Sequence, residues 1–167
     1  MTSEKTDFRT TIRQSLTATQ NGTVTILSSL LAVEDLLGYI PLEAIEEVAS
    51  LTNSTTNEVW GVASFYTNFR FTPPGDHVLE VCWGPSCHIL GAQNIVKEVL
   101  GTLNLQGEGD TEDHTFTFKY NTCLAACGQA PVISIDHQLM GRMTPEKTKE
   151  RILSVKATGK KGKRQNG

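Results

Sequence analysis

The residues best placed to do chemistry are four cysteines, arranged as two pairs. Cys82 and Cys87 form C-x4-C within VCWGPSCH, and Cys123 and Cys127 form C-x3-C within TCLAACGQAP, with 35 residues between the pairs. Four thiolates in two pairs are the ligand set of a [2Fe–2S] cluster, one pair to each iron. Such a group is anionic, and burying it is costly unless nearby dipoles offset the charge. Gly84, Pro85 and Ser86 in the first loop, and Ala125, Ala126 and Gly128 around the second, permit tight turns whose backbone N–H groups can point at sulfur. Neither loop contains Lys or Arg, so backbone amides are the expected source of that compensation. Zinc is the alternative: its sites usually use C-x2-C spacings, so the spacing here favours iron–sulfur while leaving a zinc-stabilised interaction module without redox role open. A thiol–disulfide oxidoreductase wants C-x2-C at a helix start, which neither pair supplies. With four cysteines available His88 is surplus as a ligand, since a Rieske centre needs two histidines; capping or packing is its expected role.

The elements around the cysteines are arranged to present them. Residues 78–82 and 116–120 have strand character, and each cysteine pair follows one of these segments where the chain must turn. Helical spacing spans 89–100, a Gly-, Asp- and Glu-rich loop 103–114, and further strands 132–135 and 139–141. Thr144 and Pro145 are the N-cap and first residue of a last helix. Strand, helix, three strands and helix suit a small α/β sandwich with a mixed sheet.

The first part of the chain reads as all helix. Ile26, Leu30, Val33 and Leu37 form one helical stripe, stopped by Gly38. Pro41 opens a second helix that buries Leu42, Ile45, Val48 and Ala49. Thr55 and Glu58 form a capping box for a third, with Val59, Val62, Tyr66 and Phe69 as its buried stripe. Residues 72–76 (TPPGD) break the pattern. The expected domains are therefore a helical domain over 1–74, a second domain over 75–156, and a disordered basic tail over 157–167 carrying Lys160, Lys161, Lys163 and Arg164.

Composition narrows the function. The 167 residues carry 15 basic and 18 acidic side chains, a net charge of −3 and a pI near 5.8, which is a poor match to nucleic-acid binding. No apolar run is long enough to span a membrane. The first twenty residues lack the features of a secretory signal. Phe8, Ile12 and Leu16, with Arg9 and Arg13 beside them, read as a plain amphipathic helix, since Glu4 and Asp7 argue against a presequence. A cytoplasmic protein follows, with its cysteines reduced or ligated. There is no G-x-G-x-x-G fingerprint and no nucleophile–base set, so the chain is not expected to be catalytic alone.

Five stretches together carry a family resemblance: GYIPLEAIEEVA (38–49), EVWGVASFYTNFRFTPPG (58–75), VCWGPSCHILGA (81–92), CLAACGQAPV (123–132) and GRMTPEK (141–147). On these the chain resembles the thioredoxin-like [2Fe–2S] ferredoxin subunits of the subunit-E type in respiratory complex I. Relatives of these serve NAD-dependent formate dehydrogenases and soluble or electron-bifurcating hydrogenases. The resemblance implies an α+β fold, an N-terminal helical bundle followed by a thioredoxin-like [2Fe–2S] ferredoxin domain with a mixed sheet. It implies one [2Fe–2S] cluster per chain held by Cys82, Cys87, Cys123 and Cys127, and a cis proline at Pro131. It also implies a hetero-oligomer with a flavin- and NADH-binding iron–sulfur subunit that carries the FMN and NADH, at the cytoplasmic face of the membrane if the host is complex I. Two departures stand out: Ala125 occupies a position where the family commonly has glycine, and GEGDTEDHTF replaces a common Thr-Thr-x-Asp-Gly turn.

Overall fold

A computed structural model describes residues 9–14 and 24–158. The described residues fall into two compact units, divided between Pro73 and Pro74. Among them, no helix is long and apolar enough to cross a membrane.

The first unit is helical. A helical stretch at 9–14 (α1) precedes α2 (Ile26–Leu37), α3 (Leu42–Thr52) and α4 (Thr56–Phe65). Leu30 and Val33 from α2, Ala44, Ile45 and Val48 from α3, and Val59 and Ala63 from α4 are fully or almost fully buried in one core with Ile12 and Ile40. Gly38 caps α2 in the left-handed conformation, as its stop signal implied. Thr55 and Glu58 form the expected capping box, Thr55 Oγ1 accepting from Glu58 N–H at 3.2 Å and Glu58 Oε2 from Thr55 N–H at 2.8 Å.

Two expectations for this unit fail. Leu42 is 65% exposed, because Pro41 is the N-cap of α3 rather than its first residue and Leu42 begins the helix on its outer side. The stripe assigned to α4 runs past its end: the helix stops at Phe65, Tyr66 turns to extended backbone and is 40% exposed, while Phe69 reaches the core from a turn.

The arginines of α1 are used in an ion-pair network on α3. Glu47 is only 5% exposed and accepts from Arg13 Nε at 2.5 Å and Arg9 Nη1 at 3.1 Å, and Arg9 also pairs with Glu46. Phe8 and Leu16, the other members of the expected apolar stripe, lie outside the described residues.

The second unit is a five-stranded mixed sheet with two helices on one face. Its elements are β1 (His77–Cys82), α5 (Pro85–Ile89), α6 (Ala92–Leu103), β2 (Gly109–Asp110), β3 (Phe116–Asn121), a 3-10 turn (Cys127–Gln129), β4 (Ile133–Ile135), β5 (Gln138–Met140) and α7 (Pro145–Thr158). The sheet order is β2-β3-β1-β4-β5; β1 and β3 are parallel and every other pairing is antiparallel. Leu79, Val81, Phe116, Phe118, Ile133 and Ile135 point to one side and close a core with Ile95, Val96 and Val99 of α6 and Ile152 of α7. Thr144 Oγ1 accepts from Lys147 N–H at 3.3 Å as the cap of α7.

Three details differ from the sequence reading. The stretch expected to be one helix over 89–100 is two, since the chain breaks at Leu90 and Gly91 and α5 begins at Pro85 inside the first cysteine loop. The expected loop 103–114 contains β2, which pairs with β3. Helix α7 runs to Thr158, into the first residues assigned to the tail; residues 159–167 lie outside the described residues.

Hydrogen bonds from Arg13 and Arg9 hold the Glu47 carboxyl below its ordinary value of 4.5, against the opposing effect of burial. A depressed folded value means this stabilisation is present above the unfolded value and lost as pH falls through the folded one. We predict that Glu47→Gln melts lower than the wild type at neutral pH. The gap should hold down to about pH 4.5 and close below it, as thermal denaturation across pH 2.5 to 7 would show. A gap that persists unchanged at the acid end would contradict this.

Candidate metal centre

Both cysteine pairs lie at the C-terminal ends of two adjacent parallel strands. The β1–β3 register runs from His77 opposite Phe116 to Cys82 opposite Asn121. The two chains therefore leave the sheet at the same edge, one into the loop holding Cys87 and the other into the loop holding Cys123 and Cys127. All four cysteines are free; Cys82 and Cys87 are buried, and Cys123 and Cys127 are exposed. Ala92 and Val132 pack with the buried pair, with Leu124, Ala126 and Ala130 against them.

The thiols of the two loops lie within reach of one another. Cys123 Sγ and Cys127 Sγ are 4.0 Å apart, and the Cys82 sulfur interacts with those of Cys87 and Cys123. Among the described residues, no three His, Cys, Asp or Glu side chains gather closely enough to hold a single metal ion.

Backbone donors surround the sulfurs. Burial pushes the Cys82 thiol up, but N–H groups of Leu124 and Gly84, with hydrogen bonds from Cys87 and Cys123, outweigh it and bring it below its ordinary value. Cys87 is pushed up to about 11, first by burial and then by its bond with Cys82, while the Val132 N–H opposes the rise. Neighbouring thiols cannot both ionise cheaply, and the two move in opposite directions, Cys82 down and Cys87 up. Ala125 N–H donates to Cys123 Sγ at 3.4 Å. Four separate backbone amides thus face three of the four sulfurs. The donor set fits an anionic thiolate-bound iron–sulfur group, in which such hydrogen bonds to sulfur offset buried charge.

Local conformation explains how the loops come so close. A Cβ at Gly84 would lie 3.0 Å from the Thr122 carbonyl oxygen and 3.6 Å from Cys82 Sγ, so a side chain there would crowd that carbonyl. The Ala130–Pro131 peptide is cis, as the resemblance implied. Cys82 N–H donates to the Val132 carbonyl at 3.0 Å and Trp83 N–H to the Asn121 carbonyl at 2.8 Å, pinning the first loop between β3 and β4.

His88 stands outside the thiol group. Its ring meets Trp83 edge-on, with centroids 4.7 Å apart, and its Nε2 is 2.9 Å from Gln93 Nε2. Sequence reasoning overlooked Asn121 and Glu80. Asn121 Oδ1 accepts from Cys123 N–H at 3.1 Å, and its Nδ2 donates to Glu80 Oε1, also at 3.1 Å. An Asn bonding the amide two residues on is a recognisable turn signature, so N-x-C was a usable signal; the link to Glu80 was not visible before the strand register was known.

The fold is α+β, with two cysteine pairs presented at one sheet edge among backbone amides. Residues 12–156 match the model of the thioredoxin-like [2Fe-2S] ferredoxin family, and the chain belongs to that family. It is 35% identical over 137 residues to "NADH-quinone oxidoreductase subunit 2" of Thermus thermophilus, covering 81% of this chain and 75% of the relative. It is 29% identical over 137 residues to "NADP-reducing hydrogenase subunit HndA" of Solidesulfovibrio fructosivorans, covering 82% and 78%. Among solved structures, an NAD+-reducing [NiFe]-hydrogenase in its H2-reduced state shares the fold with a TM-score of 0.67 at 21% identity. The match covers 79% of this chain and 22% of that one.

The departure at Ala125 has a structural cost. Its φ is +56°, a conformation glycine adopts freely and alanine only at about 1 kcal/mol or more. Glycine would lose roughly 0.4–1 kcal/mol through its freer unfolded chain. Ala125→Gly is therefore predicted to leave stability unchanged or to raise the melting temperature by up to ~3 °C; calorimetry showing a clear drop would contradict the strain.

Proposed function

We propose that this chain is an electron-transfer subunit carrying one [2Fe–2S] cluster, ligated by Cys82, Cys87, Cys123 and Cys127, in a flavin-containing NADH-linked oxidoreductase complex. The observation that carries this reading is the pairing of four thiols at the ends of two parallel strands, with amides of Gly84, Leu124, Ala125 and Val132 aimed at them. The names of the relatives, subunits of an NADH-quinone oxidoreductase and of a hydrogenase, support the host assembly. When bound, the cluster would accept and release one electron at a time.

The chain's own residues would do three things. Cys82 and Cys87 would anchor one iron within an apolar pocket that keeps water away. Cys123 and Cys127 would hold the other at the exposed edge, where a partner's redox group can approach. The amides would offset the charge gained on reduction without moving, which keeps reorganisation small. In this reading residues 1–74 are the helical domain and 75–156 the cluster domain. FMN and NADH sit on the partner, an iron–sulfur flavin subunit, in a cytoplasmic hetero-oligomer, at the cytoplasmic membrane face where the host is complex I. The chain performs no bond-making chemistry alone.

Protein purified without oxygen should be brown-red and contain about two irons and two acid-labile sulfides per chain. Cys123→Ser should lose most of this, because one iron loses a soft thiolate. Zinc without sulfide in the wild type would support the interaction-module alternative instead. Unchanged absorption and cluster content in Cys123→Ser would remove the ligand assignment.

A further inference from the structure

We propose that Asn121 is a positioning residue that holds the two cysteine loops in fixed relation and couples them to the buried carboxylate of Glu80. The inference rests on the ligand assignment above for its consequence at the cluster, but its geometry stands apart from any bound group. Asn121 ends β3 directly opposite Cys82 in the parallel register. Its main-chain carbonyl accepts from Trp83 N–H at 2.8 Å, in the first loop. Its side-chain oxygen accepts from Cys123 N–H at 3.1 Å, in the second. One residue therefore bonds the backbone that follows the first cysteine and the backbone of the third.

The remaining polar group of the side chain fixes its orientation. Asn121 Nδ2 donates to Glu80 Oε1 at 3.1 Å, and the same oxygen pairs with Lys119 Nζ at 3.3 Å. In β1, Glu80 and Cys82 are two apart and point to one face of the sheet, and their register partners Lys119 and Asn121 share that face. Glu80 is 7% exposed, a buried carboxylate that needs partners to be tolerated. An amide side chain satisfies both demands at once, because it carries an acceptor for Cys123 N–H and a donor for Glu80. Aspartate keeps the acceptor and loses the donor, setting two carboxylates face to face. Alanine loses both.

The test uses the full chain as purified, in four variants: Asn121→Ala, Asn121→Asp, Glu80→Gln and the double variant Asn121→Asp/Glu80→Gln. In the double variant the donor and acceptor are exchanged. The new amide at position 80 donates to the new carboxylate at position 121, which still accepts from Cys123 N–H. Hydrogen–deuterium exchange of the peptide containing Cys123 reads the brace whatever the protein has bound. Exchange should quicken by about fivefold or more in Asn121→Ala and Asn121→Asp, the equivalent of one net hydrogen bond, and return close to wild type in the double variant. On cluster-bearing protein, Asn121→Ala and Asn121→Asp should broaden the electron paramagnetic resonance signal of the reduced state and lose iron to a chelator several-fold faster. Glu80→Gln alone keeps an acceptor for Asn121 Nδ2 and should leave the exchange of the Cys123 peptide close to wild type, and the double variant should restore a narrow signal. Unaltered exchange in Asn121→Ala, or a double variant no better than Asn121→Asp, would overturn the role of Asn121 even where the cluster is intact. A wild type lacking iron and sulfide would overturn the cluster assignment while the exchange result still decides the brace.

Discussion

The parallel pairing of β1 with β3 is the constraint on which the rest of the site depends. Cys82 ends one strand and Cys123 lies two residues beyond the end of the other, so the two thiol pairs meet only if both strands end at the same edge. A six-residue strand is about 20 Å long; antiparallel pairing would put the pairs that far apart, beyond the reach of any shared group. Parallel neighbours need a crossover, here supplied by α5 and α6, and the apolar face of α6 is what ties that crossover to the sheet. The hydrophobic core thus holds side by side the strand ends from which the cysteine loops leave.

With the strands so placed, the loops must solve a charge problem. One half of the site is buried among Ala92, Val132 and their neighbours, and the other half opens to solvent at Cys123 and Cys127. Backbone amides supply the positive ends of dipoles where no Lys or Arg is present in the loops, and they come pre-oriented by the strand ends and the turn at Ala126. Gly84 permits the approach that lets amides of one loop address sulfurs of the other. The same economy explains the buried Glu80: a carboxylate at that depth is satisfied by Lys119 and Asn121.

Much of this was legible in the residues alone, for specific reasons. Strand character marked β1, alternating aromatic and polar residues marked β3, helical spacing marked α2, α3 and α6, and the Thr55–Glu58 box marked the start of α4. The cysteine spacing favoured iron–sulfur chemistry without excluding zinc, and the family resemblance turned that lean into a strong preference. Parallel pairing was not legible, because periodicity reveals a strand's faces and not its neighbours. Helix α5 was hidden inside the first loop, too short for a periodic signal, although Pro85 is a helix-starting residue. The end of α4 was misplaced because Phe69 is buried as a helical residue would be, but from a turn. The short strand β2 was missed because Gly109 and Asp110 carry a turn composition and pair only through tertiary context. The glycine-favouring conformation of Ala125 was foreshadowed by its departure from the family, but its physical cause needed the φ value.

Iron-edge X-ray absorption on the anaerobically purified chain tests the central claim most directly, that sulfurs from both strand ends converge on one two-iron core. The account predicts a first shell made of sulfur alone, four to each iron, with a single iron neighbour just beyond it. Nitrogen or oxygen in that first shell, or the absence of an iron neighbour, would contradict it.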